Sequence, residues 1–223
     1  MKKLLFLLTV CTAVCSTGCS EDPPAIRQIY VQLNIFDDRD KGAVYESLSL
    51  WIHPQDEDGI EDIEYLYLIH DDQELVWVLE SETWDMKQQP GETWIGSNDV
   101  LMPDLSPLPR GEYRVIVVDA AGERDERRAY ISQNTGLVQR VKLPEIAVEH
   151  ASIDVEGLNG RTFHLWVYDQ NGSFKNSVTP SAVPLRFEEF LTRRGDGGYA
   201  DHFFVYLYDH DEGCGIKGGP FYP

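Results

Sequence analysis

Cysteine, basic charge and long apolar runs are all scarce in this chain of 223 residues. Of its 4 cysteines, Cys11 and Cys15 fall inside an N-terminal leader, so the mature chain keeps only Cys19 and Cys214. That excludes a dense disulfide framework, and stability must come from a buried core, which about 205 mature residues can supply. Lysine and arginine number 19 against 38 aspartates and glutamates; without Lys2 and Lys3 the balance is 17 against 38, a net charge of −21. Such a field repels a polyanion, and no basic stripe with interleaved aromatics relieves it, so nucleic acid is not an expected partner. Beyond the leader no apolar run is long enough to cross a bilayer as a helix. GxSxG, HExxH and a phosphate-binding glycine loop are missing as well, and with so many carboxylates a catalytic pair carries no information. No enzyme and no cofactor are expected.

What is present begins with the leader. Lys2 and Lys3 precede an apolar run from Leu4 to Val14, then Ser16, Thr17 and Gly18 lead to Cys19. A charged start, a short apolar core and a small-residue exit make residues 1–18 a signal peptide, set aside from the fold. Small residues at Ser16 and Gly18 suit an ordinary signal peptidase. The stretch Ser16 to Cys19 also resembles a bacterial lipobox, which implies a diacylglyceryl group on Cys19 and a membrane anchor through that lipid. Acylation would leave Cys214 without a partner; without it, a Cys19 to Cys214 bridge could tie the termini. Residues 19–24 read as a short polar linker, and at ~3.3 Å per residue it keeps the first domain within about 20 Å of the anchor. Glu21 and Asp22 resemble the acidic signals that carry some bacterial lipoproteins to the surface. The expected location is the bacterial cell envelope, at the outer membrane, facing the periplasm or the exterior.

Residues 25–133 read as all β. Ile29, Val31, Leu33 and Ile35 alternate, and a turn from Asp37 to Gly42 closes the segment. Leu48, Leu50 and Ile52 then share one face while Ser47, Ser49 and Trp51 share the other. After the acidic turn Asp56 to Gly59, Ile63, Tyr65, Tyr67 and Ile69 continue the pattern, and Leu75 to Leu79 forms a hairpin with them across Asp71 to Gln73. Glu92 to Leu101, Tyr113 to Asp119 and Arg124 to Ile131 complete a set of strands that one sandwich requires.

The stretch from Leu108 to Asp119 organises the rest. Pro109 and Gly111 punctuate the chain, Tyr113 follows, and a β-branched run ends at the turn Asp119 to Gly122. It resembles the tyrosine corner of fibronectin type III and immunoglobulin-like modules, which implies a buried ring whose hydroxyl bonds backbone a few residues upstream. Asp56 to Asp62 resembles the B-to-C turn of bacterial modules of that kind. The resemblance implies a mainly β protein built on an immunoglobulin-like β-sandwich that serves adhesion, scaffolding or loop presentation.

Residues 137–223 read as a smaller β-rich domain or an extension of the first sheet. Leu137 to Leu143 is a strand or connector; Val183, Phe187, Phe190 and Leu191 fall at helical spacing, with Glu189 and Arg193 placed for an ion pair, so one short helix is expected. His202 to Tyr208 is the last strand.

Trp77, Trp84 and Trp94 lie in or beside a polar passage, Glu80 to Gly96, that holds the loop Lys87 to Gly91. They are the candidate ligand platform for a sugar or peptide, although buried strand faces also need such residues. His210 and Cys214 stand in an acidic C-terminal turn, but no complete zinc set is visible. Asp56 and Asp58 lack the spaced acceptors of a calcium loop, so no metal is expected. Two functions remain. One is a non-catalytic envelope lipoprotein presenting a β-sandwich surface to an envelope protein or glycan; the other is an accessory envelope protein that binds a small ligand or a metal ion.

Overall fold

The structure, a computed structural model, describes residues 23–172, 174–191 and 200–223. The expected leader, Cys19 and Arg193 lie outside the described residues. The protein is mainly β and sandwich-like. Among the described residues no helix is long and apolar enough to cross a membrane.

The chain opens with a long hairpin, β1 (Ala25–Asp38) and β2 (Ala43–Gln55). Next come β3 (Ile63–His70) and β4 (Leu75–Glu80), then β5 (Asp85–Gln89) and β6 (Glu92–Val100), then β7 (Gly111–Asp119) and β8 (Arg124–Ile131). A one-turn helix, α1 (Leu137–Arg140), leads to β9 (Glu145–Glu149), β10 (Ser152–Glu156), β11 (Phe163–Asp169) and β12 (Phe174–Val178). The short β13 (Leu185–Arg186), the single turn α2 (Phe187–Phe190), β14 (Ala200–Asp209) and β15 (Cys214–Phe221) close the chain.

One 8-stranded sheet, in the order β12-β11-β14-β15-β1-β2-β6-β5, backs onto two smaller sheets, β4-β3-β7-β8 and β13-β10-β9. A continuous core joins them. Leu33, Ile35, Leu48, Leu50 and Ile52 face Leu66, Leu68, Val115 and Val117 at one end, and Leu165, Val205 and Leu207 pack with Ile153 and Val155 at the other. The region after Gly136 therefore contributes β11, β12, β14 and β15 to the sheet that β1 and β2 begin.

Four elements differ from expectation, each for a local reason. Lys87 to Gln89, read as loop, belongs to β5; it is a polar strand because it sits at the sheet edge, where Met86 faces solvent. Leu137 to Arg140 makes a helical turn, not a strand, with Leu137 plugged into the core. The expected helix shrinks to Phe187–Phe190, since Leu185 and Arg186 pair with Ile153 and Ser152. With α1, the described residues hold two one-turn helices rather than one helix. The fourth difference is β15, which inserts between β14 and β1 and runs parallel to β1. Its glycines hide it from pattern reading. At Gly215 a Cβ would collide with the side chains of Asn34 and Tyr206, so tight packing selects the residue that β propensity disfavours.

Candidate functional site

The centre of the large sheet is buried on both faces. Leu48, Leu50 and Ile52 line the sandwich core, yet Ser47, Ser49 and Trp51 on the opposite face are buried as well. Strand alternation puts a second set of aromatics on that outer face: Tyr30 from β1, Trp94 from β6, Trp166 and Tyr168 from β11, Phe204 and Tyr206 from β14. Phe36, Tyr45, Tyr168 and Phe204 close into a small cluster of their own. Beside it lies a cleft of about 280 Å³, walled by Trp51, Trp94, Trp166, Tyr30 and Tyr206 and edged by Ser49, Lys87, Gln89 and Asn98.

Each wall is held in place. Trp166 stacks on Tyr206 with ring centroids 4.2 Å apart and planes at 15°. The Trp51 indole N–H donates to Asn98 Oδ1 at 2.9 Å, and that of Trp94 donates to Glu92 Oε2 at 3.0 Å. Ser49 Oγ accepts from Asn34 Nδ2 at 3.0 Å. Burial pushes the phenols of both Tyr30 and Tyr206 above their ordinary range. Among the described residues, the lining includes no carboxylate, thiol or imidazole.

Among the described residues, Lys87 is the only cation of the cleft lining. Its Nζ stands 3.5 Å from the centroid of the Trp51 ring, and burial lowers its pKa to about 8, with Asp85 opposing the shift. A lysine whose pKa falls on folding is charged at a cost below that value, and the cost disappears as the pH climbs to the ordinary lysine range. Lys87→Met should therefore stabilise the protein by about 1 kcal/mol at pH 7, the lost ring attraction offsetting part of the gain. The advantage should fade between about pH 8 and pH 10.4. Urea melts of both proteins across that range check it; a pH-independent difference rules it out.

Of the three tryptophans named from sequence, the structure brings only Trp94 into the cleft. Trp77 turns to the sandwich interior, where its indole donates to the Leu101 carbonyl at 2.9 Å and its ring lies 6.1 Å from that of Tyr113. Trp84 packs against the main core. Trp51 and Trp166, not singled out, are the true neighbours of Trp94. The signal for Trp166 was available in the alternation of His164, Trp166 and Tyr168 against Phe163, Leu165 and Val167; which face of β2 carries a site was not. Cys214 is a buried free thiol, and burial, with Asp209 and Glu212, pushes its pKa up to about 12, so it is held as the neutral thiol. His210 packs on Tyr208 instead of joining it.

No family model matches this sequence, and no curated protein does. Among solved structures the fold is similar to the crystal structure of dimeric latent PorU from Porphyromonas gingivalis, with a TM-score of 0.34 and 12% identity. That match covers 90% of this chain and 20% of PorU, so this chain spans about a fifth of its length.

Proposed function

We propose that this chain is a non-catalytic binding protein of the bacterial cell envelope, tethered through lipid on Cys19, whose aromatic cleft receives a glycan. The observation that carries this reading is the convergence of Trp51, Trp94 and Trp166 beside Gln89, Asn98 and Lys87. Sugar rings present apolar C–H faces that lie flat on indoles, while their hydroxyls need polar side chains at the rim. At 280 Å³ the cleft stands at the small end of ligand pockets, which suits a terminal sugar or two rather than a long chain. With no carboxylate, thiol or imidazole among the described residues of the lining, it is equipped to hold and not to cleave. The buried Tyr113 corner and the strands around it support kinship with immunoglobulin-like modules.

A glycan array probed with the soluble mature chain tests the cleft. The parent should retain specific glycans, and Trp94→Ala and Trp166→Ala should each weaken retention by about tenfold or more with the melting temperature little changed. Retention that both variants leave intact, or none by the parent, defeats the proposal. For the tether, Cys19→Ser should release the protein from the membrane fraction; a variant that stays there refutes it.

A further inference from the structure

Away from the cleft, on the smaller four-stranded sheet, three carboxylates converge from separate parts of the chain. Asp56 lies in the turn after β2, Asp62 in the short 3₁₀ segment Ile60–Asp62 before β3, and Asp119 at the end of β7. One oxygen from each lies within 4.8 Å of the others. The backbone ties the loops together, since the amide of Ala120 donates to the Asp62 carbonyl at 2.8 Å. None of the three carboxylates has a Lys or Arg partner among the described residues.

Carboxylates concentrated in this way are common in an acidic protein and by themselves mean little. The orphaned oxygens change that. Asp119 is 2% exposed, and its Oδ2 is buried with no hydrogen-bond partner; the same holds for Asp56 Oδ2. Each residue uses its other oxygen on backbone, Asp56 Oδ1 accepting from Asp58 N–H at 2.9 Å and Asp119 Oδ1 from Glu123 N–H at 2.8 Å. Burying an acceptor with no donor is unfavourable, and doing so twice beside a third carboxylate is more so. A positive ion among the three would satisfy both orphans and remove the repulsion.

We propose that Asp56, Asp62 and Asp119 form a calcium site. All donors are hard oxygens with no imidazole or thiolate, which disfavours zinc and copper. Ca²⁺ accepts oxygens in flexible, irregular geometry, which suits three carboxylates drawn from separate parts of the chain better than the near-ideal octahedron that Mg²⁺ demands. The ion fastens the turn after β2 to the end of β7. Gln55, next to Asp56, pairs with Ala25, so the fastened end is the one where the chain enters β1 from the linker of residues 19–24. Calcium would thereby stiffen the junction between the anchor and the sandwich.

Calorimetric titration of the EDTA-treated mature chain with CaCl₂, alongside thermal melts in EDTA, CaCl₂ or MgCl₂, tests the site. We expect one Ca²⁺ per chain and a rise in melting temperature of about 5 °C or more in 10 mM CaCl₂, with a smaller rise in MgCl₂. Asp119→Asn and Asp62→Asn should each abolish the calcium response, and in EDTA Asp62→Asn should melt no lower than the parent because a repulsive charge is gone. Two variants are used because a fold damaged by one would leave the other informative. No heat and no shift in the parent, an equal shift with Mg²⁺, or a calcium response that survives both substitutions would overturn the assignment. Glycan binding at the cleft is scored separately and is independent of each result.

Discussion

Arg110→Ala should destabilise the protein by about 3–5 kcal/mol, because it strands a buried carboxylate. Glu46 sits on the inward-facing side of β2 with a side chain 1% exposed, and Arg110 grips it with two bonds of 2.8 Å. The same carboxylate accepts from the Leu108 amide at 3.0 Å. Arg110 also donates to the carbonyls of Leu108 and Gln133, so one guanidinium knots β2, the approach to β7 and the exit of β8. The cost arises from leaving one partner charged, not from the pair's net worth, and that separates the pair from an exposed ion pair such as Arg128 with Glu112. Adding Glu46→Gln to Arg110→Ala should accordingly recover part of the loss. Chemical denaturation of the parent and the two variants decides: an Arg110→Ala protein within about 1 kcal/mol of the parent would show that water reaches Glu46.

Tyr113→Ala should cost about 3–5 kcal/mol, and Tyr113→Phe only about 1 kcal/mol. The ring is 1% exposed, edge-on to His70 at 4.8 Å, and its hydroxyl donates to the Pro109 carbonyl at 2.7 Å. His70 completes the corner through a contact of 3.0 Å from Nε2 to the Arg110 carbonyl. Removing the ring leaves a cavity walled by a sheet that cannot collapse, whereas removing the hydroxyl deprives a single carbonyl of its donor. Equal costs for the two variants in urea would mean that the bond, and not the packing, holds the corner.

How much of this was legible in the sequence depends on the range over which each feature is decided. The strands of the first half alternate on their own, and so does the corner: Pro109, Gly111 and Tyr113 are close neighbours, and the bond between Tyr113 and Pro109 spans four residues. The mismatch over Lys87 to Gln89 has the opposite origin. An edge strand facing solvent has no apolar face to announce it, and it forms because β6 offers a free edge. β15 was hidden for a related reason, since Gly215 answers to Asn34, which lies far away in the chain.

The candidate sites follow the same division. Trp94 could be singled out as an aromatic in a polar stretch, but its partner Trp51 comes from β2, which pairs with β6, and Trp166 comes from β11, which shares the cleft only because β1 and β15 join the two halves of the large sheet. The acidic turn at Asp56 was visible and by itself lacked enough ligands; Asp119 lies 63 positions on and reaches it through the pairing of β3 with β7. Composition, charge and the β character were determined by the sequence alone, because they depend on residue type and on a period of two along a strand. Tertiary structure decided which face of β2 borders the cleft, which tryptophans share it, and which carboxylates lose their water, because burial is set by what a distant strand lays across a surface and no local pattern encodes that.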